Sequence, residues 1–151
     1  MGPGPLSPEE LRRRAAAAWL ADAHAELANA RSLAAHPDEG TTPFASAFHA
    51  QQAVEKGIKA LLVWHGVDFP SRHDLGLLLD LVPAGATIKD LNVRGLSVYA
   101  VEQRYAAGTA DPINLIERPT WDDAQEAIGE ATKALARVWA DLSSAGWTAP
   151  V

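Results

Sequence analysis

The stretch Phe48-His49-Ala50-Gln51-Gln52-Ala53-Val54-Glu55-Lys56-Gly57-Ile58-Lys59-Ala60-Leu61-Leu62 decides the fold of this chain. It belongs to a predicted helix that begins after Thr42-Pro43 and ends at Gly66, since Pro suits the first turn of a helix and Gly its C-terminal end. A surface helix needs an apolar stripe of only roughly 100°. Here a large apolar face and a stripe of Ala and Gly together cover more of the circumference than that, so this helix is predicted to lie at the centre of a bundle and to admit another helix at close range. The apolar face is Phe44, Ala47, Val54, Ile58, Leu61 and Leu62, and the small-residue stripe is Ala50, Ala53, Gly57 and Ala60.

Long amphipathic segments lie on both sides of this central helix. Ser7, Pro8 and the two glutamates after them predict the start of a first helix that runs to about Ala35. Near the other end of the chain, Thr120 is expected to cap a last helix whose apolar residues recur at helical spacing until Gly146. Both segments pair one apolar stripe with a polar face, which is typical of the outer helices of a bundle.

Three further segments are predicted between the central and the last helix. His73-Asp74-Leu75 begins a short helix that ends before Pro83. Thr87-Ile88-Lys89-Asp90 resembles a capping box and predicts a helix that continues to about Tyr105. Gly and Pro residues then indicate a loop from Ala106 to Thr120, and loops of such length are often functional.

No segment alternates with period two for long enough to form a strand. The predicted fold class is therefore all-α, an antiparallel up-and-down bundle of four main helices plus one short helix. We expect a flexible N-terminus over residues 1–7, the bundle over residues 8–145 and a C-terminal tail over residues 146–151. Trp64 and Trp139 are expected to pack in the core, whereas Trp147 lies beyond the last helix and is expected to be an exposed contact for a partner.

The amino-acid composition argues against several classes of function. The net charge of −6 argues against general nucleic-acid binding, which usually needs a basic face to displace counterions. The absence of cysteine excludes disulfides and thiolate metal sites and favours a cytoplasmic location. The histidines show no ligand-like clustering, so no metal and no cofactor is expected. No signal peptide is recognised at the N-terminus, and no apolar run approaches the ~20 residues that a membrane span needs.

The central helix and the segments after it resemble the HEPN domain family. The string from Gln52 to Leu61 is similar to the family's Gln-Ala-x-Glu-Lys-x-x-Lys-Ala-Leu signature, and His73-Asp74-Leu75 matches the His-Asp-Leu motif that follows it. Arg104-Tyr105 matches an Arg-Tyr-Pro motif near the end of the next helix, with Ala106 in place of the proline. The order and spacing of these motifs make the resemblance specific over roughly Trp19 to Leu142.

The resemblance implies an up-and-down helical bundle that usually forms a homodimer. It also implies three kinds of activity. Some members are metal-independent ribonucleases with an Arg-x4-6-His motif. Some act with a nucleotidyltransferase-like partner protein in toxin–antitoxin or related two-gene systems, and for others nucleotide binding has been proposed.

Four polar residues of the central helix, His49, Gln52, Lys56 and Lys59, fall on one stripe. Two ammonium groups and an imidazole suit the phosphate of a nucleotide or another anion. The alternative is a solvated face on which Glu55 pairs with Lys59 four residues later, and such a pair needs no ligand.

A second candidate site is the segment Arg72-His73-Asp74. Free amides at a helix start favour an anion, Arg72 adds charge, and His73 with Asp74 is also a candidate acid–base pair. Alternatively, Asp74 caps the helix and His73 packs locally. At the end of the next predicted helix, Arg104 either complements the helix dipole or joins the stripe as an anion ligand, and Tyr105 either packs or lies at the same site.

The ribonuclease spacing occurs once, from Arg31 to His36, at the end of the first helix rather than in the family's late helix. No histidine follows Arg104. Chance is the better account of this match, so no catalytic residue is predicted.

The sequence therefore favours a non-catalytic homodimeric module with a nucleotide-phosphate site and a nucleotidyltransferase-like partner. The alternatives are a ribonuclease or toxin with a degenerate site and a purely structural interaction protein.

Overall fold

The computed structural model describes residues 2–100 and 118–151. The long helices are α1 (Pro8–Ala35), α2 (Pro43–Trp64) and α4 (Trp121–Ser144), and the short helix is α3 (Leu75–Leu81). Two 3₁₀ helices follow α3, at Thr87–Asp90 and Arg94–Ala100. The described residues contain no β-strand, and the predicted all-helical fold is confirmed. Within those two ranges, no helix combines the length and the apolar character needed to cross a bilayer.

Local capping bonds begin the helices where the sequence predicts. The Ser7 hydroxyl accepts the amide of Glu10 at 3.1 Å at the start of α1, and Thr42 does the same for Ala45 at the start of α2. Thr120 forms a complete capping box at the start of α4. These bonds satisfy amide groups that the first turn of a helix leaves unpaired.

Helix α2 lies at the centre, between α1 and α4. Its small-residue stripe is fully used within the chain, because Ala50, Ala53 and Ala60 are 0% exposed. A Cβ atom on Gly57 would lie only 2.7 Å from Leu135 Cδ2 of α4. The predicted close approach of a second helix is therefore confirmed, and that helix is α4 of the same chain. The stripe consequently offers no surface to a second copy.

The predicted helix from Thr87 to Tyr105 is wrong over its described part. Two 3₁₀ helices occupy it, and they are separated by the non-helical residues 91–93. The Thr87 hydroxyl does not cap a helix but donates to Asp141 Oδ1 at 2.7 Å, as does the Thr87 amide, while the Ile88 amide donates to Oδ2 at 2.9 Å. A buried carboxylate on α4 thus holds this segment through a tertiary contact, which a local capping pattern does not encode. Residues 101–117, with the predicted helix end and most of the predicted loop, lie outside the described residues.

Two tryptophans lie in environments that are the reverse of those predicted. Trp147 is only 4% exposed, because the tail folds back onto α1 and the indole N–H donates to the carbonyl of Arg13 at 3.1 Å. Trp139 is 49% exposed, since it lies at the edge of the apolar stripe of α4 and contacts Trp147 edge-on at 5.4 Å. Both predictions were wrong. The packing predicted for Trp64 is confirmed, and its indole donates to the carbonyl of Ala145 at 3.1 Å.

Candidate functional site

A carboxylate on α1 links two of the predicted site residues on α2. Glu26 Oε2 lies 2.6 Å from His49 Nδ1, and Oε1 lies 2.9 Å from Lys56 Nζ. Partial burial alone raises the pKa of Glu26, but hydrogen bonds and charge from His49 and Lys56 outweigh it, so this pKa lies below its ordinary value. Because an ionised carboxylate only accepts hydrogen bonds, His49 Nδ1 carries the proton and Nε2 is left for another partner.

A second carboxylate, Glu55, is buried within the bundle with 1% exposure and is surrounded by donors. Gln52 Nε2 and Lys59 Nζ each lie 3.0 Å from it. His73 Nδ1 also lies 3.0 Å away, and Gln51 Nε2 lies at 3.4 Å. Burial of a carboxylate is costly unless it is paired and hydrogen-bonded, and this set of donors meets that requirement.

Lys59 is enclosed and does not lie on an open polar face. Its side chain is 13% exposed, and its ammonium group lies 5.3 Å from the centre of the Trp19 ring and 5.5 Å from that of Phe69. The expected pair with Glu55 is present at 3.0 Å. Lys59 therefore binds the buried carboxylate and two aromatic rings, and it is a poor ligand for an external anion.

The loop before α3 brings its own residues to the same carboxylate. His73 takes part through Nδ1, while 59% of its side chain remains exposed. Asp74 caps α3, since its carboxylate accepts the amide of Leu77 at 3.2 Å, as the structural alternative expected. Arg72 is exposed beside them and forms no ion pair within the described part of the chain.

These contacts give the candidate site two parts. Where α1 meets α2, His49 and Lys56 share Glu26 and keep 29% and 24% of their side chains exposed. At the loop before α3, His73 and Gln52 share the buried Glu55. The two carboxylates cancel the charges of Lys56 and Lys59, so the surplus positive charge comes from Arg72.

Sequence reasoning missed Glu26 and Gln51 as parts of this arrangement. Glu26 follows Ala23 by three residues and precedes Ala30 by four, so it flanks the inner stripe of α1 and needs a partner there. Gln51 is fully buried and also donates to the backbone carbonyl of His73 at 3.4 Å. The spacing on α1 was a usable signal for Glu26, whereas the contact of Gln51 depends on the path of a distant loop.

The other residues that the sequence analysis considered make no contact with this site among the residues that the structure describes. Arg31 donates to Thr132 on α4 at 2.9 Å, while His36 Nδ1 contacts the carbonyl of Ser32 at 2.9 Å, so the two side chains bind different groups. Arg104 and Tyr105 lie outside the described residues. Within residues 2–100 and 118–151, no three or more His, Asp or Glu side chains are grouped as metal ligands.

The fold and the site together define a helical domain with a His, Lys and Glu cluster on its central helix. The family model described as the HEPN domain matches residues 16–140. The chain belongs to the HEPN domain family. Searches of curated proteins and of solved structures gave no significant match.

Proposed function

We propose that this HEPN domain is a non-catalytic, homodimeric module that binds the phosphate of a nucleotide and acts with a nucleotidyltransferase-like partner protein. The observation that carries the proposal is the anchoring of Lys56 and His49 on Glu26 and of His73 on Glu55, with both imidazoles held through Nδ1.

The hydrogen-bonding capacity of these groups suits a phosphate. Lys56 has three ammonium protons and gives one to Glu26 at 2.9 Å, which leaves two donors for a ligand. Carboxylates hold the rings of His49 and His73 in place through Nδ1, which leaves each Nε2 available to a ligand. Arg72 adds an always-charged guanidinium at the rim.

The same carboxylates limit the strength of the site. Because Glu26 and Glu55 offset Lys56 and Lys59, binding of an anion relies on Arg72 and on the hydrogen bonds that the other side chains donate. We therefore expect nucleotide affinity to fall with added salt.

The non-catalytic part of the proposal rests on the missing proton-transfer pair. No histidine follows His73 in the sequence, and the Arg31 and His36 side chains are held by different groups. General acid–base catalysis requires a base positioned at the proton it removes.

Dimerisation and the nucleotidyltransferase-like partner are proposed from the family. Coexpression with the product of an adjoining nucleotidyltransferase reading frame tests whether the two proteins bind each other.

Calorimetric titration with ATP and with inorganic triphosphate tests the phosphate site. Lys56→Gln should weaken binding at least about tenfold, since hydrogen bonds to charged groups contribute roughly 1.5–3 kcal/mol. The matched control is Lys89→Gln, which removes an exposed lysine of the first 3₁₀ helix and should leave affinity unchanged. Absence of binding by the parent protein contradicts the phosphate site, and equal losses in both variants contradict its location.

A further inference from the structure

A cavity of about 450 Å³ opens between α1 and α4. None of the phosphate-site residues lines it, because they lie where α1 meets α2 and at the loop before α3. The volume falls within the roughly 300–1,000 Å³ that is usual for small-molecule sites. Leu27 of α1 and Leu135 and Ala136 of α4 supply apolar surface to the cavity. Its size and this surface suit the apolar part of a small molecule.

A single arginine bridges the two helices at one end of the cavity. Arg31 of α1 donates through Nη2 to the hydroxyl of Thr132 on α4 at 2.9 Å, and it forms no ion pair with a described carboxylate. A guanidinium carries five N–H donors, so most of them remain for a ligand. No Asp or Glu from the described ranges lines the cavity, although the chain as a whole has a net charge of −6. This end of the cavity is therefore complementary to a carboxylate.

An indole ring lines the other end. Trp139 follows Thr132 by seven residues, which places it about 10 Å further along α4. It is 49% exposed, and the ring of Trp147 contacts it edge-on at 5.4 Å. The Trp147 indole is in turn bound to the carbonyl of Arg13 at 3.1 Å, so Trp139 is supported before any ligand arrives. A large aromatic ring in this position offers apolar surface that a ligand can cover.

We propose that this cavity binds a small amphiphilic carboxylate of the medium-chain fatty-acid class. The carboxylate lies on Arg31, and the apolar chain extends for about 10 Å over Leu27 and Leu135 to Trp139. This site is separate from the nucleotide site and does not depend on it. A helix from a partner protein fits less well, because the Arg31–Thr132 bond crosses the seam between the two helices and would have to break.

Calorimetric titration of the full chain with octanoate tests the proposal. Octanoate should bind at one site per chain. The alcohol 1-octanol has the same apolar chain without the charge, and it should bind at least about tenfold more weakly because it loses the charged hydrogen bonds to Arg31. Equal affinities overturn the role of Arg31 in selecting an anion, and absence of octanoate binding overturns the site.

Two variants locate the site independently. Arg31→Gln removes the charge but keeps a donor for Thr132, and it should weaken octanoate binding at least about tenfold. Arg14→Gln makes the same change at an exposed arginine of α1 outside the cavity and should bind like the parent. Ala136→Phe fills the cavity from an exposed position, so it should prevent binding and leave the circular dichroism spectrum unchanged. Undiminished binding by Arg31→Gln or by Ala136→Phe overturns the location.

Two further measurements separate this site from the nucleotide site and from a protein interface. Lys56→Gln should bind octanoate like the parent, and Arg31→Gln should bind ATP like the parent. Loss of both ligands in either variant overturns the independence of the two sites. Light scattering should give the same molar mass with and without octanoate. A mass that halves on addition of octanoate would show that a second copy covers the cavity, and it overturns the assignment to a small molecule.

Discussion

His73 Nδ1 lies 3.0 Å from Glu55 Oε1, although 18 residues separate them in the chain and Glu55 is 1% exposed. This contact joins the Glu-Lys string of α2 to the His-Asp-Leu segment. The first segment supplies a buried carboxylate, and the second supplies an imidazole donor together with the cap of α3. Two of the three motifs that carry the family resemblance are therefore parts of one hydrogen-bonded unit that ties the loop to the central helix.

Loss of the ammonium group that pairs with this carboxylate should destabilise the fold. Lys59→Ala is expected to lower the free energy of unfolding by about 3 kcal/mol, because removal of one partner leaves a buried charge under-compensated. Urea denaturation followed by circular dichroism measures the effect. Lys89→Ala, at an exposed position, should change stability by less than about 0.5 kcal/mol. Similar stabilities for the two variants would show that the Glu55–Lys59 pair contributes little.

The same substitution at two glycines should have unequal effects. Gly129→Ala should raise the free energy of unfolding by about 1 kcal/mol through helix propensity alone. Gly57→Ala has the same propensity gain, but its Cβ would meet Leu135 Cδ2 at 2.7 Å and displace that buried side chain. Overpacking of a core typically costs about 1–3 kcal/mol, so Gly57→Ala should be less stable than Gly129→Ala by that amount. Thermal denaturation of both variants decides the point, and equal gains would contradict the close packing at Gly57.

Glu26 should make stability depend on pH in the acid range. Its pKa in the folded protein lies below the ordinary value of 4.5, so folding favours the ionised carboxylate. The stabilisation is therefore present above pH 4.5 and is lost as the pH falls through the lower folded-state pKa. Glu26→Gln should be less stable than the parent at neutral pH, and the difference should shrink in acid.

Urea denaturation at a series of pH values from about 7 to 3 measures this difference. Glu39→Gln, at an exposed position without an ion pair in the described residues, is the control and should follow the parent throughout. A constant difference between the parent and Glu26→Gln across the series would contradict the linkage.

Single-stranded RNA should remain intact when incubated with the isolated protein under conditions in which a HEPN ribonuclease cleaves it. Removal of a proton-transfer group typically costs on the order of 10²–10⁴ in rate, and no histidine follows Arg104 in the sequence. Gel analysis of a labelled RNA gives the result. Cleavage by the parent together with its loss in His36→Ala would establish Arg31 and His36 as an active site and overturn the non-catalytic proposal.

The sequence by itself determined the long helices and their ends. Ser7, Thr42 and Thr120 cap through bonds to residues three positions away, and such bonds depend only on local chain geometry. The central position of α2 also followed from the sequence, because a helix with apolar and small residues over so wide an arc must be covered on several sides. The family resemblance could also be seen in the sequence, because each motif that carries it is a short string of neighbouring residues.

Only the tertiary structure decided which polar groups meet. Glu26 lies on α1, yet it orients His49 and Lys56 of α2, and Asp141 of α4 replaces a local cap for Thr87. Helical spacing correctly placed Lys59 beside Glu55, but it did not show that Trp19 and Phe69 enclose the ammonium group. A helical wheel reports the direction of a side chain from its own axis, whereas its burial and partners depend on what another part of the chain brings to that side.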